Sequence, residues 1–135
     1  MLNIKTDRVE IVKKMICGCG ECLDIEKYIG ELEKLGQELK GNSMISDLPN
    51  FASALASKER LIILNALKNK DRCVCELEAI INKSQSTISH HLRKLETAGL
   101  IRGWKKGNFT YYHLEKERLK AHLTVLNEFF DSFGL

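Results

Sequence analysis

The stretch between Cys73 and Gly99 constrains the fold of this chain more than any other part of the sequence. Leucine and isoleucine recur there at helical spacing in two series, with only a brief turn between them. The first series predicts a short helix from Cys73 to Ile81, and the second predicts a longer helix that Ser84 or Ser86 caps and Gly99 ends. Two short helices joined by a tight turn form a helix-turn-helix.

Beyond Gly99 the pattern changes from helical spacing to aromatic and β-branched residues. Two such runs flank Lys106-Gly107-Asn108, which predicts a β-hairpin. A helical stripe then continues to about Phe133, and its apolar positions are Leu119, Leu123, Leu126 and Phe130. The fold class that follows is mainly α with a small β-hairpin.

Four helices are predicted before the helix-turn-helix. A short one ends at the Cys17-Gly18-Cys19-Gly20 loop, and a longer one begins after Asp24 as N-cap. Pro49 is suited to the first turn of a third, which runs to about Ala56, and Ser57 caps a fourth. The fourth has a wide apolar face made of Leu61, Ile62, Leu64 and Leu67. We expect a helical extension with a cysteine cluster over 1–46 and the domain that contains the helix-turn-helix over 47–135.

The cysteines are informative because of the compartment that the sequence predicts. No apolar run approaches the roughly 18 residues of a membrane span, and the first residues lack the apolar segment of a signal peptide. We therefore expect a cytoplasmic protein without membrane contact. Since that compartment keeps thiols reduced, five cysteines in two tight clusters predict ligands or redox groups rather than a disulfide framework.

Positive charge is concentrated on the second helix of the motif and the hairpin. Between Lys83 and His113 the chain carries six Lys or Arg residues against a single acid, Glu96. With Ile88, Leu92 and Leu95 turned inward, the opposite helix face is polar or basic and can enter a DNA major groove. Gln85, Ser86 and Ser89 are suited to base edges or phosphates, whereas Arg93, Lys94, Lys105 and Lys106 are suited to phosphates.

The predicted DNA-contacting set is Ser84, Gln85, Ser86, Thr87, Ser89, His90, Arg93, Lys94, Lys105 and Lys106. His91 lies near the apolar border and is expected to be packed and hydrogen-bonded instead.

The run Ser84-Gln85-Ser86-Thr87-Ile88-Ser89-His90-His91-Leu92-Arg93-Lys94-Leu95 resembles the ArsR/SmtB family of metal-responsive repressors. Ala98-Gly99-Leu100-Ile101 and the Lys106-Gly107-Asn108 hairpin that ends in Tyr111-Tyr112 extend the similarity to roughly 48–126. The resemblance implies a winged helix-turn-helix that acts as a homodimer and represses an operon by occupying an inverted-repeat operator. It also implies that the apolar stripes over 25–39 and 119–130 serve dimerisation; for the first stripe, packing within one protomer is the alternative.

Two cysteine clusters are the candidate sensor. Cys73-Val74-Cys75 stands at the start of the first helix of the motif, where the helix dipole lowers thiol pKa and favours a soft ion. In the family it resembles the thiolate pair of arsenic-responsive and cadmium/lead-responsive members. By the same resemblance, Cys17, Cys19 and Cys22 complete a composite site with it. Trigonal thiolates suit As(III), and four thiolates suit Zn, Cd or Pb.

The sequence is also compatible with other functions. A thiol redox switch would join Cys17, Cys19 or Cys22 to another cysteine, or would form a persulfide. A structural zinc module would bind metal without regulation. An enzyme is not expected, because the sequence contains neither a phosphate-binding glycine loop nor a His-Glu-x-x-His motif. No organic cofactor is expected either.

Overall fold

The computed structural model describes residues 4–18 and 24–135, and the chain divides into two compact units, Met1–Asn42 and Ser43–Leu135. The first unit contains α1 (Ile4–Cys17) and α2 (Ile25–Lys40). The Asp24 carboxylate accepts a hydrogen bond from Lys27 N at 3.1 Å, so the predicted N-cap of α2 is confirmed. Ile29 is the buried residue of α2.

The second unit contains the remaining elements. They are α3 (Ser43–Leu55), α4 (Lys58–Leu67), β1 (Arg72–Cys73), α5 (Val74–Ile81), α6 (Gln85–Thr97), β2 (Ile101–Lys106), β3 (Phe109–Leu114) and α7 (Lys116–Asp131). The core is built from buried residues of all of these helices except α7, together with the strand residues Ile101 and Leu114. Leu119 and Leu126 of α7 pack against that core. The mainly helical winged helix-turn-helix with a small β-hairpin is therefore confirmed.

Local hydrogen bonds explain where α4 and α6 begin and where α6 ends. Ser57 Oγ accepts from Arg60 N at 3.3 Å, and Ser84 Oγ accepts from Thr87 N at 3.3 Å. At the end of α6, Gly99 has φ +75°, and the bonds from Gly99 N to Glu96 O and from Leu100 N to Leu95 O form a Schellman motif. The predicted roles of Ser57, Ser84 and Gly99 are confirmed.

Three features of the second unit differ from the expectations. Helix α3 begins at Ser43, with Pro49 inside it, so the start predicted at Pro49 is wrong. The predicted boundary between 46 and 47 falls within this helix, whereas the two compact units meet between Asn42 and Ser43. In α4 the fully buried residue is Ile63, and Leu61 from the predicted buried face is 51% exposed.

The sheet has a third strand that the sequence did not predict. Its order is β1-β3-β2 with both pairings antiparallel, and β1 places Arg72 opposite Tyr112 and Cys73 opposite Tyr111. Cys73 is therefore both a strand residue and the N-cap of α5. The hairpin of β2 and β3, called the wing below, is joined by this strand to the residues that precede the helix-turn-helix.

Candidate functional site

Helix α6 has the two faces that the sequence predicts. Ile88, Leu92 and Leu95 are at most 1% exposed, and they hold the helix on the core. The opposite side is exposed or partly exposed, and it carries the whole α6 part of the predicted DNA-contacting set, namely Gln85, Ser86, Thr87, Ser89, His90, Arg93 and Lys94. An apolar anchor under a polar, basic face is the arrangement that a groove-binding helix needs.

Three hydroxyl groups of the predicted set contact one another at the start of α6. Ser84 Oγ lies 2.9 Å from Thr87 Oγ1 and 3.1 Å from Ser86 Oγ. Ser84 is also the N-cap, so the Ser84 and Thr87 hydroxyls order the first turn of the helix. Gln85 and His90 are exposed, which leaves their side chains accessible to a ligand.

The wing carries the second part of the predicted set. Lys105 and Lys106 are exposed near the end of β2, opposite Thr110 and Phe109 of β3. Gly107 makes the turn with φ +60°, a conformation that a residue with a Cβ rarely adopts. Two lysines at the tip of a narrow hairpin can approach phosphate groups without displacing the helix beside them.

A cleft of about 450 Å³ lies between α3 and α6. Its α6 side is basic and polar, and its α3 side includes Asn50 and Ser53. The lining residues are Asn50, Ser53, Ala54, His90, Arg93, Lys94, Thr97 and Ala98. Three members of the predicted DNA-contacting set therefore share one concave surface.

Arg60 was not identified from the sequence, yet it connects α3, α4 and α6. This side chain is 6% exposed and donates from Nε to Ala54 O at 2.7 Å and from Nη2 to Ser53 O at 2.9 Å. Its Nη1 donates to His91 Nδ1 at 3.0 Å, so this ring nitrogen accepts and the imidazole is neutral. Burial, and next the Arg60 charge, lower the pKa of His91. His91 is thus packed and hydrogen-bonded, as expected.

Cys73 and Cys75 lie together where β1 passes into α5, and their sulfur atoms are joined in a disulfide. Cys73 is 6% exposed, whereas Cys75 is exposed. The sequence predicts this pair as thiolate ligands. The disulfide is the oxidised form of the same pair, and it must be reduced before either sulfur can bind an ion.

Glu76 organises the backbone around this pair. Its carboxylate accepts from Cys73 N at 3.1 Å and from Arg72 Nη1 at 3.2 Å, while Arg72 Nε donates to Ala66 O at 2.7 Å. The Cys73 N–H bond, with Arg72 beside it, holds the pKa of Glu76 below its usual value. The charged carboxylate therefore keeps the start of α5 ordered.

The other cysteines belong to the first unit. Cys17 is the last residue of α1 and is an exposed free thiol. Cys19 and Cys22 lie outside the described residues. Within 4–18 and 24–135, no group of three or more His, Cys, Asp and Glu side chains is arranged to hold a metal ion. His122 of α7 stacks on Phe51 with ring centroids 4.8 Å apart.

Within the described part of the chain, no helix is long and apolar enough to cross a membrane.

Comparison with known proteins gives consistent results. The family model described as "Bacterial regulatory protein, arsR family" matches residues 57–102. An uncharacterised HTH-type transcriptional regulator of Methanocaldococcus jannaschii is 36% identical over 56% of this chain and 85% of its own length. A putative arsenical resistance operon repressor of Halobacterium salinarum is 34% identical over 82% of this chain and 84% of its own length. The solved structure of reduced HlyU from Vibrio cholerae has a TM-score of 0.55 and 31% identity, over 70% of this chain and 97% of that one.

Proposed function

This chain belongs to the ArsR family of bacterial regulatory proteins. We propose that it is a DNA-binding repressor that leaves its operator when its own cysteines bind an ion or change oxidation state. The family and the two relatives named above from Methanocaldococcus jannaschii and Halobacterium salinarum are transcriptional regulators and not enzymes, as expected. The carrying observation is that Cys73 and Cys75 stand at the start of the helix-turn-helix whose α6 presents the exposed polar face.

We assign different roles to the two parts of the DNA-contacting set. Gln85, Ser86, Ser89 and His90 read base edges, because uncharged polar groups can form directional hydrogen bonds in the major groove. Arg93, Lys94, Lys105 and Lys106 bind phosphates, which gives affinity that depends on salt. Ser84 and Thr87 hold the first turn of α6 in place.

The binding unit in this proposal is a homodimer on an inverted repeat of double-stranded DNA. Leu123 and Phe130 of α7 are 43% and 44% exposed, and Leu35 of α2 is 48% exposed, so both helices offer apolar side chains to a second copy. A twofold dimer would place its half-sites about one helical turn apart, roughly 34–36 Å, or a multiple of that. In this proposal α1 and α2 serve sensing and pairing, and the elements from α3 onward serve DNA binding and pairing.

The effector is a soft metal or metalloid ion, As(III), Cd, Pb or Zn, bound by reduced cysteines. The placement of Cys73 and Cys75 fits this chemistry, since their sulfur atoms are adjacent and one of the two residues is exposed. Further thiolates are proposed from Cys17, Cys19 and Cys22. When bound, such an ion would hold the two sulfurs by coordination in place of the disulfide.

A redox switch is the second candidate, and the joined sulfurs of Cys73 and Cys75 favour it. Here the disulfide itself would be one signalling state and the dithiol the other. A disulfide that involves Cys17, Cys19 or Cys22 would be an additional input.

Operator binding in defined thiol states tests both candidates. A duplex is first selected from a random pool with the reduced, metal-free protein. Its affinity is then measured by fluorescence anisotropy for the reduced, Cd(II)-loaded, arsenite-treated and oxidised forms. An ion effector should weaken binding by about 5- to 150-fold, the usual range of such coupling. A redox effector should change the affinity without any ion.

The Cys73→Ser, Cys75→Ser double variant is the matched test of the site. It should bind the duplex as the parent does and should lose the response. If it responds fully while serine at Cys17, Cys19 and Cys22 abolishes the response, the sensor lies in the N-terminal loop and the assignment to Cys73 and Cys75 is wrong.

A further inference from the structure

Asp71 lies two residues before Cys73 and contacts both strands of the wing. Its Oδ2 accepts a hydrogen bond from Trp104 Nε1 of β2 at 2.8 Å. Its Oδ1 lies 2.7 Å from His113 Nδ1 of β3. These contacts join residues 33 and 42 positions apart in the chain, so they arise from the fold and not from local structure. One carboxylate thus bridges the two strands from outside the hairpin.

A second route connects the cysteine pair to the same tryptophan. Cys73 faces Tyr111 across the β1–β3 pairing, and Tyr111 faces Trp104 across the β2–β3 pairing. The Trp104 and Tyr111 rings stack with centroids 4.8 Å apart and planes at 20°. Cys73, Tyr111, Trp104 and Asp71 therefore form a closed circuit of backbone pairing, ring stacking and hydrogen bonding.

The backbone from Asp71 to Cys73 is held at both ends, which limits how far it can move when the state of the sulfur atoms changes. Glu76 accepts a hydrogen bond from Cys73 N and so fixes Cys73 to the first turn of α5. Two residues earlier, the side chain of Asp71 fixes the chain to the wing. Two residues of chain span at most about 7 Å, so a shift at Cys73 has little slack in which to dissipate before Asp71. A backbone shift at Cys73 that accompanies a change in the sulfur atoms is therefore passed on to one of these attachments.

We propose that Asp71 is the positioning residue through which the state of Cys73 and Cys75 sets the orientation of the wing, and hence of Lys105 and Lys106. Its two carboxylate oxygens hold Trp104 and His113 in one geometry when the two cysteines form the disulfide, and in another geometry when the disulfide is broken. This inference rests on the proposed sensing role of the cysteine pair, and it adds the route by which that pair reaches a DNA-contacting element.

Trp104 is the only tryptophan of the chain, so the tryptophan fluorescence emission reports directly on the contact between Trp104 and Asp71. We would record the emission of the full-length protein in the disulfide form, after reduction by dithiothreitol, and after addition of Cd(II) to the reduced form. Operator affinity is measured on the same samples. In the parent, emission and affinity should change together between at least two of these states.

A graded pair of substitutions tests the role of the carboxylate. Asp71→Asn keeps the shape but exchanges one acceptor oxygen for an NH2 donor, so Trp104 Nε1 keeps its acceptor while an N–H at His113 Nδ1 loses the carboxylate oxygen. Asp71→Ala loses both. The differences in emission and in operator affinity between the thiol states should be largest in the parent, smaller in Asp71→Asn and smallest in Asp71→Ala. Thiol titration should show the same reactive sulfurs in all three proteins. Asp47→Asn, an exposed carboxylate of α3, should behave as the parent.

The outcomes separate this inference from the proposed function. If Asp71→Ala folds, as judged by its unfolding transition, and keeps the full emission change and affinity response, Asp71 does not couple the sites. A parent whose emission is the same in every thiol state also overturns the inference. If the parent emission responds through Asp71 but operator affinity never changes, the coupling stands and the sensing function fails. Should Asp71→Ala not fold, Trp104→Phe decides by affinity alone, and an undiminished response there rejects the coupling.

Discussion

Replacing Arg60 by methionine should destabilise the protein more than its position outside the DNA-contacting face suggests. The guanidinium is 6% exposed and donates to Ala54 O, Ser53 O and His91 Nδ1 at 2.7, 2.9 and 3.0 Å. Methionine fills much of the same space but donates no hydrogen bond. The change therefore isolates the polar contacts among α3, α4 and α6.

The magnitude follows from what each acceptor retains. Ser53 O still accepts from Ala56 N at 3.2 Å, and His91 is partly exposed and can bind water, so about 0.5–1 kcal/mol is lost at each. Ala54 O loses the 2.7 Å bond from Arg60 Nε in a buried setting, which costs about 1–3 kcal/mol. The sum is on the order of 3 kcal/mol in the free energy of unfolding, a large share of the roughly 5–15 kcal/mol typical of a domain.

Urea unfolding at one fixed protomer concentration measures this, because the stability of an oligomer depends on concentration. The midpoint should fall with an unchanged slope. Arg60→Lys should lose nearly as much, since a single ammonium cannot reach three acceptors as the planar guanidinium does. The exposed Lys58→Met on the same helix should stay within about 0.5 kcal/mol. An Arg60→Met protein within about 0.5 kcal/mol of the parent would refute the reasoning.

Three further predictions concern the surroundings of α6. The pKa of His91 is lowered by burial and then by Arg60, so the unfolded chain binds this proton more readily. The free energy of unfolding should therefore fall as pH drops below 6.5, the ordinary histidine pKa. His91→Gln should remove the contribution of this histidine, so the free energy of unfolding should differ less between about pH 7.5 and about pH 5.5 than it does in the parent. Gly99→Ala should cost about 1–2 kcal/mol in thermal unfolding, because φ is +75° there, and an unchanged midpoint would contradict the C-cap role. Lys106→Ala should reduce the salt slope of operator binding by ~1 without altering sequence preference, whereas His90→Ala should relax that preference by about 1–3 kcal/mol; the reverse pattern would exchange their roles.

The sequence was sufficient for features that depend on neighbouring residues. The N-caps at Ser57 and Ser84, the C-cap at Gly99 and the two faces of α6 arise from hydrogen bonds and spacing within a few positions. A wing turn at Gly107 follows from the same kind of local preference. These features were enough to predict a helix-turn-helix followed by a β-hairpin, which the family resemblance identified as a winged helix-turn-helix, and to place the α6 candidates for DNA contact on one side of that helix.

The tertiary structure decided what depends on distant partners. Pro49 is suited to a first helical turn, but the packing of α3 extends the helix back to Ser43. Cys73 follows helical spacing, yet pairing with Tyr111 places it in a strand. Asp71 meets Trp104 and His113 across 33 and 42 positions, and Arg60 meets His91 across 31. No local pattern encodes these contacts, because each pair is brought together only after the core has closed the chain between them.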